Sequence, residues 1–180
     1  MRVAVTGTPG TGKTTATELV EADLEVVHLN AVIEDEGLTD GTDEGRGSWI
    51  ADLDAVAGWL AGRDDVLVES HLAHLFEADR VVVLRCRPDV LRARLAERGA
   101  SSAKAAENAE AEALDLLLAE AVDRHGEGRV YEVDTTDLTP DEVAREVEAV
   151  VAGAREPSAG AVSFVDYLAG VDIAEPVDRP

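Results

Sequence analysis

Gly7-Thr8-Pro9-Gly10-Thr11-Gly12-Lys13-Thr14 follows the pattern G-x-x-x-x-G-K-[ST]. Such a run can bind a polyphosphate. Its glycines let successive backbone N–H groups turn inward as an anion nest, and a helix starting at Lys13 adds unpaired N–H groups and its dipole. Lys13 is then expected to reach the β- and γ-phosphates of ATP, and the Thr14 hydroxyl to ligate Mg²⁺. Phosphoryl transfer also needs a carboxylate near the metal and movable cations over the developing charge. Two carboxylates end apolar runs. Glu69 closes Val66-Leu67-Val68 and is followed by Ser70-His71, and Asp134 closes Val130-Tyr131-Glu132-Val133. Glu69 is preferred, because the upstream strand normally lies beside the strand that carries the loop. His71 could position or deprotonate a nucleophile, or merely hydrogen-bond backbone at a turn. His74 reads as a surface residue, and two histidines alone do not make a metal site. Arg85, Arg87, Arg92, Arg94 and Arg98 fall within 14 residues. Arg92 and Arg94 read as a solvated helix face. Arg98 precedes Gly99 at a helix end where a hinged lid could start, so it is the first choice of phosphate cation and Arg85 the second. Lys104 lies in the same expected lid.

These groups need elements to place them. Val3-Ala4-Val5-Thr6 is a short strand that runs straight into the glycine-rich loop, and residues 13–22 are helix-compatible, with Ala16, Leu19 and Val20 on one face. Residues 24–29 read as a second strand, and a polar, glycine-rich stretch follows over 30–48. The spacing of Trp49, Leu53, Val56 and Leu60 predicts a helix. Further strands are expected at 65–69, 80–84 and 130–133. Pro88 suits the first turn of a helix that carries Val90, Leu91 and Leu95 and stops at Gly99. Ser101 or Ser102 could cap the next helix, whose stripe is Leu114, Leu117, Leu118, Ala121 and Val122, and Gly126 stops it. Thr139-Pro140-Asp141-Glu142 is a capping box ahead of Val143, Val147, Val150 and Val151. Short Val/Leu strands alternating with helices predict an α/β fold with a five-stranded parallel sheet flanked by helices, in one P-loop NTPase domain over residues 1–153. Residues 154–180 differ. They hold three of the six prolines, and Ser163 could cap a turn or two presenting Phe164, Leu168 and Val171. A mobile terminus and a docked segment both fit that stretch.

Composition narrows the function. A chain of 180 residues buries enough surface to need no disulfide or metal staple. Asp and Glu number 38 against 16 Lys and Arg, a net charge of −22, which opposes nucleic acid or an anionic membrane as the main ligand. Only two lysines occur, Lys13 and Lys104, beside 29 alanines. That balance resembles proteins of salt-in halophilic archaea, where molar salt shortens the Debye length to about 3 Å and screens the repulsion. Cys86 is alone, which excludes an internal disulfide and a cysteine metal site. No apolar run approaches the length of a membrane span, and Arg2 enters a strand pattern with no signal peptide before it, so the cytoplasm is the expected compartment. No N-K-x-D guanine motif occurs. A nucleotide kinase or small-molecule kinase remains.

The chain resembles the archaeal adenylate kinase family orthologous to the eukaryotic adenylate kinase isoenzyme six, also called the coilin-interacting nuclear ATPase. The resemblance rests on Gly7 through Thr15, Asp40-Gly41-Thr42-Asp43-Glu44, Glu69-Ser70-His71, Arg94-Leu95-Ala96-Glu97-Arg98-Gly99, and Lys104 with Glu107-Asn108. It implies an adenylate-kinase-like sheet with a monophosphate-binding segment at 30–53 and a short lid at 97–107. It implies phosphate transfer between ATP and a nucleoside monophosphate, usually AMP, plus ATP hydrolysis. Gly10, Gly12, Lys13, Thr14, Thr15 and Arg98 would contact ATP, and Glu69 and His71 would form the acid-x-His element. Lys13, His71 and Arg98 are thus the expected catalytic groups, and Thr14 and Glu69 the Mg²⁺ ligands. The resemblance also implies a transient role in late maturation of the small ribosomal subunit, beside a basic platform protein. The chain departs from the family pattern at Glu69, where Asp is usual, at Leu72, where Gly is usual, and at Ala100, where Tyr is common. Residues from 154 onward have no placed counterpart. A nucleotide-switched assembly ATPase and a small-metabolite kinase are the competing readings, and Arg46 is the only cation in the segment 30–53.

Overall fold

Unbroken runs of Val and Leu stay out of water only in a sheet covered on both faces, and the chain folds that way. The computed structural model describes residues 1–43 and 48–170. In chain order the elements are β1 (Arg2–Gly7), α1 (Lys13–Thr17), β2 (Glu25–His28), α2 (Leu29–Asp35), β3 (Thr39–Asp43), β4 (Ser48–Ala51), α3 (Leu53–Leu60) and β5 (Val66–Glu69). There follow β6 (Arg80–Arg85), α4 (Pro88–Glu97), α5 (Ser102–Ala113), α6 (Leu116–His125), β7 (Val130–Asp134), α7 (Pro140–Val151) and α8 (Asp166–Gly170). Five parallel strands form one sheet in the order β2-β5-β1-β6-β7. Side chains alternate across it. Ala4, Val66, Val68, Val81 and Val83 pack under α3 and α6, while Val3, Val5, Leu67, Val82 and Leu84 pack under α1 and α7. β1 is the middle strand, with Val5 opposite Glu69 on one side and Gly7 opposite Leu84 on the other. Its carboxyl end therefore delivers the glycine-rich loop into the crevice between β5 and β6, the usual ligand position of such sheets.

Several local expectations hold. Pro88 opens α4, the Ser101 hydroxyl caps α5 at the Lys104 amide, and Thr139 and Glu142 form the reciprocal capping box of α7. Others are corrected. The helix expected over 13–22 stops at Thr17, because the Glu21 amide goes to the Glu148 carboxylate on α7 at 2.7 Å and Leu19 has no core to face. Trp49 is not helical. It sits on β4, 61% exposed, in an antiparallel hairpin with β3, and α3 begins after Asp52, whose carboxylate accepts from the Ala55 amide at 2.9 Å. The helix expected across 101–126 breaks between α5 and α6, where Asp115 turns into the left-handed region at φ 54° to reach Arg85. Leu114 is thereby turned out to solvent, away from its expected stripe.

Arg85 draws in much of this end of the molecule. It is 1% exposed. Its Nε donates to Glu112 on α5 at 2.7 Å, its Nη1 to Glu132 on β7 at 2.6 Å, and its Nη2 to Asp115 between α5 and α6. Burial alone would lower its pKa, but Glu112 and Asp115 more than reverse this, so it is held above its ordinary value. Of the two readings of the tail, the described part is docked. The Ser158 amide donates to the Val130 carbonyl at 3.0 Å, Arg155 Nη2 to the Glu132 carbonyl at 2.6 Å, and the Ala161 amide to Glu132 Oε2 at 2.7 Å. These bonds blunt the free edge of β7, and the Phe164 ring lies 5.5 Å from the Arg85 guanidinium carbon. Val171, with the rest of 171–180, lies outside the described residues. No described helix is long and apolar enough to cross a membrane.

Removing the cation from this cluster strands buried carboxylates. Arg85→Met is expected to cost about 3–5 kcal/mol in urea unfolding in molar KCl. A loss under about 1 kcal/mol would show that the cluster does not hold β6, β7 and α5 together.

Candidate active site

The loop between β1 and α1 has the shape of a phosphate cradle. Gly7, Gly10 and Gly12 take φ of 146°, 98° and 91°, which L side chains rarely adopt. The close approaches are equally demanding. A Cβ on Gly7 would strike the Leu84 carbonyl, and one on Gly10 would come within 3.0 Å of Leu91 Cδ1. The turn closes on the Thr8 carbonyl, which accepts from the Thr11 amide at 3.2 Å and the Thr11 hydroxyl at 3.0 Å. Lys13 folds back over it, its Nζ donating to the Gly7 carbonyl at 2.8 Å and the Thr8 carbonyl at 3.2 Å. Burial pushes the Lys13 pKa down to about 8, with Arg98 adding to the push and Glu69 and Glu112 opposing it. The ammonium is still mostly charged at pH 7. Thr14 and Thr15 turn their side chains to solvent at the start of α1.

Glu69 ends β5 beside β1, 5% exposed, and its Oε2 lies 3.0 Å from His28 Nδ1. Asp134, the other candidate, ends edge strand β7 and is taken up by the amide and hydroxyl of Thr136. Of the two, Glu69 is on the strand paired with β1 and its charge acts on Lys13. The described residues hold no cluster of three or more His, Cys, Asp or Glu that could bind a metal by itself. The Thr14 hydroxyl and the Glu69 carboxylate supply only two hard oxygens. That suits Mg²⁺ arriving on a nucleotide, since Mg²⁺ keeps waters and phosphate oxygens for its remaining positions. His71 is exposed, yet the surrounding protein and the Lys13 charge push its pKa below the ordinary value, so it is neutral at pH 7.

Three expectations change here. His74 is not on the surface but 2% exposed, held by Thr6 Oγ1 at 3.0 Å on Nδ1 and Glu120 at 3.1 Å on Nε2. It braces β1 from beneath. Arg85 is no phosphate cation, because its buried carboxylate partners occupy it. Arg94 is not part of a solvated face. Its Nη2 donates to the Thr135 carbonyl at 3.0 Å and the Thr136 carbonyl at 3.2 Å, which fixes the loop after β7 against α4. Arg98 is exposed at the end of α4, its guanidinium making no hydrogen bond among the described residues, and its charge is felt at Lys13. Arg94 and Arg98 line a pocket of about 290 Å³ together with Gly12, Thr15, Leu138 and Val143. The apolar wall from the β7–α7 connection is not legible in the sequence, where Val143 reads as part of an ordinary helix stripe and Leu138 carries no signal of its own. His28 is a further addition, although the rule that selects Glu69, a polar residue at a strand's carboxyl end, applies to it equally. A larger groove of about 1010 Å³, lined by Arg2, Leu60, Asp79 and Arg124 among others, lies at the opposite, amino end of the strands. It holds none of the chemistry-bearing groups.

Residues 3–115 match the protein-family model described as "AAA domain". The protein named "Putative adenylate kinase" from Natronomonas pharaonis is 64% identical over 168 residues, covering 93% of this chain and 100% of that one. The Halobacterium salinarum protein of the same name is 60% identical over 169 residues, and that of Methanothermobacter thermautotrophicus 43% over 171 residues. The chain belongs to this archaeal adenylate kinase family. Coverage of 93% cannot fit within residues 1–153. Part of the tail therefore has a family counterpart, contrary to expectation, in keeping with its docking on β7. Among solved structures, the shikimate kinase of Acinetobacter baumannii aligns with a TM-score of 0.59 at 16% identity, covering 86% of this chain and 94% of that one. That of Bacteroides thetaiotaomicron aligns at 0.56 and 17%. These likenesses concern the fold alone.

The buried histidine of this site gives a pH test. Burial lowers the folded-state pKa of His74 from its ordinary 6.5, with Glu120 only partly opposing it. As pH falls below 6.5, the unfolded chain takes up a proton that the folded chain resists, so stability declines until the lower folded pKa is passed. His74→Asn should flatten the decline in unfolding free energy between pH 7.5 and 5.5. An unchanged slope would show that His74 is not held neutral.

Proposed function

We propose that this chain is an ATP-dependent nucleoside monophosphate kinase that transfers the γ-phosphoryl of ATP to AMP or a related monophosphate. The observation that carries the reading is the loop. A glycine-built nest with Lys13 folded over two carbonyls opens beside a pocket whose cations, Arg94 and Arg98, come from α4 and its carboxyl-terminal cap. The names of the archaeal relatives point the same way. Lys13 would leave the Gly7 and Thr8 carbonyls for the phosphates, exchanging neutral acceptors for anionic ones. Gly10, Gly12, Thr14 and Thr15 would hold the phosphate chain, with the adenosine against Leu138 and Val143. Arg98, free at the end of α4, would move over the developing charge. Thr14 and Glu69 would hold Mg²⁺, which supplies charge neutralisation across the phosphates. His71, neutral at pH 7, would orient the acceptor or take its proton.

The acceptor would lie over segment 30–53, with residues 97–107 as the lid. That segment starts at the site. The Asn30 side-chain oxygen accepts from the Ser70 hydroxyl at 2.7 Å, directly after Glu69. Arg46, its only cation, lies outside the described residues. The absence of any other cation in 30–53 favours a second reading, an ATPase whose nucleotide state governs binding to a basic partner such as a platform protein of the small ribosomal subunit. The −22 charge suits such a partner. Both readings are cytoplasmic and consistent with salt adaptation.

A panel of nucleoside monophosphates, run with ATP and Mg²⁺ in molar KCl, separates them. The kinase reading expects AMP or another member to be consumed in step with ATP. It also expects Lys13→Ala to lower turnover by about a thousandfold or more. ATP hydrolysis indifferent to every monophosphate but raised by a basic protein would replace it with the second reading. Full turnover in the Lys13→Ala protein would overturn the mechanism.

A further inference from the structure

Glu112 is a buried carboxylate, 3% exposed, set against a loop that should bind anions. A charge so placed opposes phosphate unless it is neutralised and put to use. It is neutralised. Its Oε1 accepts from Arg85 Nε at 2.7 Å and from the Cys86 amide at 3.2 Å, and its own carbonyl accepts from Arg85 Nη2 at 3.1 Å. Its Oε2 accepts from the hydroxyl of Thr8, itself 5% exposed, in the glycine-rich loop. Thr8 is the residue on whose carbonyl the loop turns, since that oxygen receives the Thr11 amide, the Thr11 hydroxyl and Lys13 Nζ. One side chain from α5 thus reaches across to the residue that sets both the curvature of the loop and the resting place of its lysine. Behind it the chain of contacts continues through Arg85 to Glu132, and from Glu132 Oε2 to the amides of Ala161 and Val162.

We propose that Glu112 is a positioning residue for nucleotide binding, which holds Thr8 from α5 and so makes the shape of the phosphate loop depend on the docking of α5 against the end of β6. This rests on the reading that the loop binds ATP. Glu112 touches no reacting atom and acts through Thr8. Because the first half of α5 belongs to the expected lid at 97–107, a shift of that helix is transmitted to the loop by one charge-assisted hydrogen bond, with no rearrangement of the sheet.

The test measures MgATP affinity by calorimetry, together with kcat and KM, in molar KCl. Thr8→Val removes the hydroxyl with little change of shape and is expected to weaken MgATP binding about tenfold, as loss of a hydrogen bond to a charged group would. Thr8→Ser, which restores the hydroxyl, stays within about twofold of the parent. In a Glu112→Gln background the amide can offer Thr8 only a neutral bond, so Thr8→Val is expected to cost about threefold at most. A purely structural Glu112 would lower the unfolding midpoint but leave MgATP affinity alike in Thr8→Val and Thr8→Ser. That result, or a Thr8→Val effect equal in both backgrounds, overturns the proposal. If Glu112→Gln does not fold, the Thr8→Val and Thr8→Ser pair decides. An unmodified protein that binds no MgATP would instead overturn the nucleotide reading, and the proposal with it.

Discussion

A buried ammonium held by two backbone carbonyls organises this molecule. Lys13 is covered by protein, and among the described residues its Nζ donates to the oxygens of Gly7 and Thr8 and to no carboxylate. Retaining its charge under those conditions depends on what surrounds it. Glu69 arrives on β5 because that strand pairs with β1, and Glu112 arrives on α5 because Arg85 anchors it to β6. The glycines at 7, 10 and 12 are required because the chain must pass close to Leu84, Leu91 and Leu95 while turning its amides inward. A positive group that is desolvated yet charged, and held by weak neutral acceptors, is readily exchanged onto a phosphate.

This local order explains how a chain of net charge −22 can offer an anion site at all. The acidic groups are spread over the surface, where salt screens them. Two buried acids near the loop are each paired, Glu69 with His28 and Glu112 with Arg85, while Glu97 at the rim of the pocket is exposed to solvent. Cationic side chains near the site come from α4 and the residue that ends it: Arg94 fixes the β7–α7 connection, and the guanidinium of Arg98 is left to move. Surface acidity and site chemistry are therefore nearly independent properties of the sequence.

The sheet and the loop were legible because each depends on a local, repeating signal. Val/Leu runs gave the five strands, the G-x-x-x-x-G-K-T spacing gave the cradle, and Thr139 with Glu142 gave the start of α7. What escaped the reading was set by partners distant in sequence. His74 looked exposed because nothing nearby in the chain shows that Thr6 and Glu120 will enclose it. Arg85 reads as an available cation and Arg94 as part of a solvated face because their partners, Glu112, Glu132 and Thr135, lie 27 to 47 residues away. The break at Asp115 has the same origin, since its left-handed turn serves Arg85 and not the helix. Trp49 misled through a chance helical spacing, while the capping signal lay at Asp52.

The central claim is that the cradle around Lys13 delivers a phosphoryl group to a second nucleotide. Following a γ-phosphate label from ATP, with AMP and Mg²⁺ in molar KCl, tests it most directly. The account predicts that the label appears as the β-phosphate of ADP newly made from AMP. Label recovered only as inorganic phosphate, with AMP unchanged, would contradict it.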